Sequence, residues 1–204
     1  VGTVDAYKAD LLWKPIETVL VRGGYQRAVR APNIAELFSP PSLGFASIST
    51  PGLTTTAGDP CDVRSSFRNG PNAAAVRALC IAQGVPAGIV DSYQQQSTQV
   101  DILGGGNIGL KEESSDSYTL GVVWSPQVSA PMLRRFQLSV DYYKIELADV
   151  VGTLTVPTIV GACFNTEGTN PTFSNDNFYC GQFSRLGSGN ITTVLVNQVN
   201  LAAW

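Results

Sequence analysis

Tyr118-Thr119-Leu120-Gly121-Val122-Val123-Trp124 alternates apolar with small or polar residues and places a ring at each end. The same frame recurs in Tyr7-Ala9-Leu11-Trp13, in Val19-Val21-Gly23-Tyr25 and in Phe136-Leu138-Val140-Tyr142. Between these positions stand Lys8 and Asp10; Arg22, Gly24 and Gln26; Ser117, Thr119 and Gly121; and Gln137, Ser139 and Asp141. A period of two is the signature of a strand with unlike faces. Rings bracketing the apolar face suggest a wall between lipid and water, with the rings at the two interfaces. Six residues span about 20 Å along a strand, or roughly 15–16 Å of depth when tilted, so the rings fall at or inside the edges of an apolar band of about 25 Å. A soluble sheet with its aromatics in a core is the competing reading.

Outward from these strands, two hairpins are expected. The first is Asp5–Trp13, a turn holding Lys14-Pro15, and Thr18–Arg27. The second is Asp116–Trp124, a connection with Pro126 and Pro131, and Phe136–Ile145. Short links follow Trp13 and Trp124, while long ones follow Arg27 and Ile145. Short turns at one rim and long loops at the other characterise outer-membrane barrels. This gives the rings a direction: Trp13, Trp124 and Phe136 lie beside the short turns, and Tyr7, Tyr25, Tyr118 and Tyr142 beside the long loops. In the first long stretch, from Ala28 to Ser115, Asn72–Gln83 reads as a helix with Asn72 as N-cap and Gly84 past its end. Val85–Tyr93 holds a further helical turn, and Gly104-Gly105-Gly106 reads as a flexible hinge. In the second stretch, Glu146–Asn190, Thr155–Phe164 reads as a short helix, and Ile191–Leu201 follows as a fifth strand.

Composition narrows the function. Of 204 residues 44% are hydrophobic and only 14% charged, against about 25% charged in soluble domains. A net charge of −3 gives no basic footprint for nucleic acid. The chain has no histidine, which excludes a Ser/His/Asp arrangement within it and removes the commonest metal ligand. No catalytic residue, cofactor or resident metal is expected, and the protein is read as a non-enzyme. Glu112, Glu113 and Asp116 form an acidic cluster that reads as a solvated loop base rather than a cation site. Val1-Gly2-Thr3 shows neither an initiator Met nor the pattern of a signal peptide, and the chain reads as an excerpt of a longer protein. No apolar window is long enough for a transmembrane helix.

Cys61 and Cys80 lie in one long stretch, and Cys163 and Cys180 in the other. Four cysteines allow three connectivities. Pairing within each stretch closes modest rings, and in an oxidising compartment each bridge stabilises by roughly 2–4 kcal/mol. Metal binding is the rival, although the sequence offers no CxxC unit and no His.

Tyr25-Gln26-Arg27-Ala28-Val29-Arg30-Ala31-Pro32-Asn33-Ile34-Ala35-Glu36-Leu37-Phe38-Ser39-Pro40 resembles a signature of TonB-dependent outer-membrane receptors, in which a barrel strand ends in Arg-Ala-Pro and a Glu-Leu-Phe run follows. Pro32 also has a physical reason to stop a strand, since it removes a donor. Gly105-Gly106-Asn107-Ile108-Gly109-Leu110-Lys111-Glu112-Glu113-Ser114-Ser115 resembles a second signature, Gly-Asn-Pro-x-Leu-x-Pro-Glu-x-Ser, with Ile108 and Glu112 where prolines usually stand. Asp141-Tyr142-Tyr143-Lys144-Ile145-Glu146-Leu147-Ala148-Asp149 is similar to a third, a strand leaving the membrane. The residues matched to the family pattern are Arg30, Ala31, Pro32, Glu36, Leu37, Phe38, Asn107, Leu110 and Glu113.

The resemblance implies an all-β fold: an antiparallel transmembrane β-barrel segment of about four or five strands, with long extracellular loops carrying short helices. Residues 1–204 would form part of one barrel domain, with loops at about 28–115 and 146–190 and the plug domain outside these residues. It further implies an active transporter of the Gram-negative outer membrane that binds a scarce nutrient (an iron chelate such as a ferric siderophore, cobalamin or a saccharide) and draws energy from the TonB complex. A passive porin-type barrel and a secreted, disulfide-bearing all-β binding module remain as alternatives. In the transporter reading Tyr7, Trp13, Tyr25, Tyr118, Trp124, Phe136 and Tyr142 face lipid. Arg22, Gln26, Gln137 and Asp141 face the lumen, where plug contact is the expected role. Phe38, Phe45, Tyr93, Phe164, Phe173 and Phe178 are candidate ligand-facing loop residues. Alone, such a sheet would expose two edges and a lipid face, so residues 1–204 are not expected to form a stable soluble domain.

Overall fold

The computed structural model describes residues 3–48, 58–97, 99–127 and 136–201. In chain order the elements are β1 (Tyr7–Ile16), β2 (Val19–Arg30), α1 (Ile34–Phe38), β3 (Ser42–Ser47), α2 (Ala73–Ala82), β4 (Gln99–Gly104), β5 (Glu113–Trp124), β6 (Leu138–Ala148), β7 (Val150–Thr153), α3 (Val156–Cys163), β8 (Phe183–Arg185), β9 (Ile191–Leu195) and β10 (Gln198–Leu201). They fall into two compact units. One comprises residues 1–33, 109–152 and 199–204, and the other residues 34–108 and 153–198.

The first unit is built on an antiparallel sheet in the order β1-β2-β5-β6. Each of its four strands reaches three residues beyond the sequence reading at one end, and β1 and β6 begin two residues later than read; the ladder continues past the apolar frame, since Arg30 still pairs with Glu113 and Ser114 with Ala148. The first hairpin turns at Glu17-Thr18, not at Lys14-Pro15. β1 runs on through Pro15 to Ile16, and the register slips between Trp13 and Ile16. Pro cannot donate to a ladder, and a bulge on an outer strand is where a strand accommodates it. Pro131 lies outside the described residues. A short sheet of β7 and β10 completes this unit, and Asn200 clips it together by donating to the Asp149 carbonyl at 2.7 Å and to the Lys111 carbonyl at 3.1 Å.

The second unit is a small domain with its own interior. Its sheet runs β3-β4-β9-β8 and mixes directions, since β4 and β9 are parallel. The expected fifth wall strand is therefore not one. Ile191–Leu201 divides into β9, which belongs to this sheet, and β10, which pairs with β7. The poor alternation of that stretch has a physical origin, because its two halves answer to different partners. α2 buries Val76, Leu79 and Cys80, spaced as one helical stripe. It ends where Gly84, at φ +107°, donates to the Ile81 carbonyl while Val85 donates to that of Cys80, the left-handed glycine closure of a helix C-terminus. Val90 donates to the Pro86 carbonyl, closing the further helical turn. α3 starts at Thr155, whose hydroxyl accepts from the Thr158 amide, with Pro157 in the first turn.

The glycine run is not a hinge. Gly106 donates to the Ser39 carbonyl and Asn107 to that of Glu36. A Cβ on Gly106 would lie 2.6 Å from the Leu37 carbonyl carbon and oxygen. Glycine is required at 106 because two backbone segments touch there.

Candidate functional site

Register decides which side chains share a face. Tyr25 stands opposite both Ala9 and Tyr118, Val21 opposite both Trp13 and Val122, and Val19 opposite Trp124, which itself faces Leu138. The four ring-bracketed frames thus lie on one side of the first unit's sheet. Toward the ends of β2 and β5 the rings form a row, with centroids 5.8 Å apart for Tyr7–Tyr25 and 4.9 Å for Tyr25–Tyr118. Tyr142 stands opposite Leu120, two residues below this row, and Lys144 takes the place opposite Tyr118. Beyond the row come charges on the same face. Tyr25 donates to Asp116 at 2.7 Å, Arg27 meets Asp116 at 3.3 Å and Lys144 meets Glu146 at 2.9 Å. Near the other ends, Trp124 and Phe136 pack edge to face at 6.2 Å.

The opposite side carries Lys8, Asp10, Arg22, Gln26, Ser117, Thr119 and Asp141. It also carries Leu12, Leu20, Val123, Tyr143 and Ile145, so it is more apolar than the alternation suggested. Arg22, Gly121 and Asp141 form one cross-strand row. Because Gly121 has no side chain, Arg22 spans β5 and binds Asp141 through both oxygens, at 2.9 and 2.7 Å. Gly24 opens similar room beside Asp10. Gln137 lies just before β6, outside the ladder.

Residues singled out in separate signatures meet in space. Arg30 and Glu113 are register partners joined as an ion pair, and the second Glu113 oxygen accepts from the Val151 amide at 2.6 Å. Pro32 and Leu110 are buried. Asn107 donates to the Gln198 carbonyl at 2.9 Å. Ala31 is exposed, while Glu36, Leu37 and Phe38 form the end of α1. Within the acidic cluster, Glu113 and Asp116 are neutralised by Arg30 and Arg27. Among the described residues no group of three His, Cys, Asp or Glu is placed to hold a metal ion.

In the second unit the cysteines pair within each stretch, Cys61 with Cys80 and Cys163 with Cys180, and all four join the buried core. That core also claims Tyr93 and Phe164, so neither is an exposed loop tip, and Phe173 packs partly buried against it. Phe67, Phe164 and Phe173 line a cavity of about 220 Å³ with Pro71 and Val76. Phe38, Phe45 and Phe178 are exposed.

Sequence reasoning missed the polar centre of this core. Asp59 and Arg185 have no exposed side-chain surface and meet in a bidentate pair, at 2.6 and 2.7 Å. Burial acts to lower the Arg185 pKa, but the charge of Asp59 and its hydrogen bonds outweigh this and raise it. Burial, and then Asp59, push the Tyr93 hydroxyl well above the usual tyrosine range, and it donates to Asp59 at 2.8 Å. At the surface, hydrogen bonds from Arg77 and then Arg68 hold Asp91 at about 2. Asp62 is lowered because hydrogen bonds from the Arg64 side chain and from backbone amides overcome its burial.

The ferric enterobactin receptor PfeA in complex with BCV-L6 is 16% identical over 96% of this chain and 18% of its own, with a TM-score of 0.46. A mutant of that receptor from Pseudomonas aeruginosa in complex with enterobactin gives the same identity, coverage and score. The siderophore receptor PirA from Acinetobacter baumannii is 14% identical over 97% of this chain and 19% of its own, with a TM-score of 0.45. The chain therefore spans less than a fifth of the length of the solved structures it matches. No curated protein matches it. The family model described as TonB dependent receptor-like, beta-barrel matches residues 2–191, and the chain belongs to that family.

Proposed function

We propose that this chain is a wall segment, with its loops, of an active transporter in the Gram-negative outer membrane that binds a scarce nutrient and imports it with energy from the TonB complex. One observation carries the reading. A four-stranded antiparallel sheet has ring rows at both ends of one face, an Arg–Asp bridge and glycines on the other, and two long insertions departing from one rim. In this reading Tyr7, Trp13, Tyr25, Tyr118, Trp124, Phe136 and Tyr142 touch outer-membrane lipid. Arg22, Gln26, Gln137 and Asp141 face the lumen and contact a plug. Both units belong to one barrel domain, whose insertions, redrawn by the strand pairing from about 28–115 and 146–190 to residues 34–108 and 153–198, lie outside the cell. Two disulfides suit that oxidising side. The cargo is an iron chelate such as a ferric siderophore, cobalamin or a saccharide, and no catalytic step is involved.

Deleting the gene and measuring uptake of labelled ferric siderophore, cobalamin and oligosaccharide tests this. Loss of one uptake in the deletion strain, and equal loss in a strain without TonB, is the expected result. Uptake that persists without TonB marks a passive pore, and recovery of the protein in the soluble fraction marks a secreted module.

A further inference from the structure

The two insertions share one interior although the wall strands β5 and β6 separate them in sequence. β4 from the first pairs in parallel with β9 from the second, Asp101 opposite Thr193 and Leu103 opposite Leu195. Asp59, from the first, is buried against Arg185, from the second. The same carboxylate accepts from the Cys61 amide at 2.9 Å, so this pair leads straight to the first disulfide. Gln83, just past α2, donates to Asn175 at 2.7 Å and to the Cys180 carbonyl at 3.2 Å, which leads to the second. Tyr93 reaches Asn190 at 3.3 Å.

A buried charge stripped of its partner is strongly destabilising. Parting the insertions would strand Asp59 in one and Arg185 in the other, and would also open the sheet between β4 and β9. We propose that the two insertions form a single obligate body latched at Asp59–Arg185, so that neither can rearrange on ligand binding without carrying the other. The ligand-linked part rests on the transporter reading, whereas the obligate coupling does not.

Hydrogen exchange of the full-length receptor in detergent, without ligand, tests the coupling apart from any transport. With Arg185→Met, amides of α2 and α3 should exchange faster by at least about a hundredfold, and by the same factor. If α3 and β8 loosen while α2 stays as in the wild type, the proposal is overturned. Adding Asp59→Asn removes the stranded charge while keeping an oxygen for the Cys61 amide, and should restore protection in both helices at once; recovery in one alone also overturns it. Should the Arg185 variant not reach the membrane, Cys163→Ser with Cys180→Ser decides: α2 must lose protection together with α3, and an unchanged α2 refutes the latch.

Discussion

Replacing Gly106 by Ala sets two physical readings against each other with opposite signs. If the three-glycine run were a hinge, Ala would restrict the unfolded chain and stabilise by about 0.4–1 kcal/mol. In the fold, a Cβ there would meet the Leu37 carbonyl at 2.6 Å and the Phe38 nitrogen at 2.7 Å. Those are backbone atoms, which cannot rotate aside as a side-chain tip would. Overpacking of this kind costs roughly 1–3 kcal/mol. Hydrogen exchange of the α2 amides in the full-length receptor reads the difference as about 5- to 150-fold faster exchange. Gly88 provides the control, since nothing lies within 4 Å of its Cβ position. Gly88→Ala should leave exchange unchanged or slow it up to about fivefold. Equal or slower exchange in Gly106→Ala would refute the close backbone packing.

Three further outcomes follow from the same geometry. Replacing Cys61 and Cys80 by Ser opens a ring of separation 19, and the α2 amides should lose about 3 kcal/mol of protection, measured by exchange. Asp91 has its pKa depressed in the folded state, so its stabilisation is present above the unfolded value of about 3.9 and disappears as pH falls toward about 2. The melting difference between wild type and Asp91→Asn should therefore persist at neutral pH and vanish across that acidic window. Gly121→Val drives a side chain between Arg22 and Asp141. Because both are about half exposed (50% and 44%), solvent screens the pair and its loss is a small effect. Adding Arg22→Ala to Gly121→Val should cost nothing more in a double-mutant cycle of thermal stability, and full additivity would refute the bridge.

The wall was legible in the sequence because a period of two is local: each residue's face follows from its own position, and the ring frames of all four strands fell on one side as read. The helices at 73–82 and 156–163 were legible for the same reason, with stripes within a dozen residues, a closing Gly84 on the first and a Thr155 cap on the second, although the Asn72 side chain makes no capping bond. What escaped was long-range. β3 finds its partner β4 about fifty to sixty residues away, and only the β4–β9 pairing joins the two insertions, so no local pattern announced the second sheet. Asp59 and Arg185 are ordinary charges until the fold buries both. Tyr93 and Phe164 resembled exposed loop tips because an aromatic in a Gly- and Ser-rich stretch gives no sign of which side it faces. The glycine run misled for the converse reason: conformational freedom and close backbone approach leave the same residue in the sequence.

The parallel pairing of β4 with β9 also imposes an order of events on folding. Asp101 and Thr193 are about 90 residues apart, and contacts of such long sequence separation form slowly. α2 and its disulfide are local and can form early, but β4 then presents an open hydrogen-bonding edge until the second wall hairpin and α3 have been made. An unsatisfied edge of this kind is a template for mispairing between chains. The first insertion is therefore most exposed to aggregation while the second is still unfolded, and completion of β9 is the step that ends the hazard.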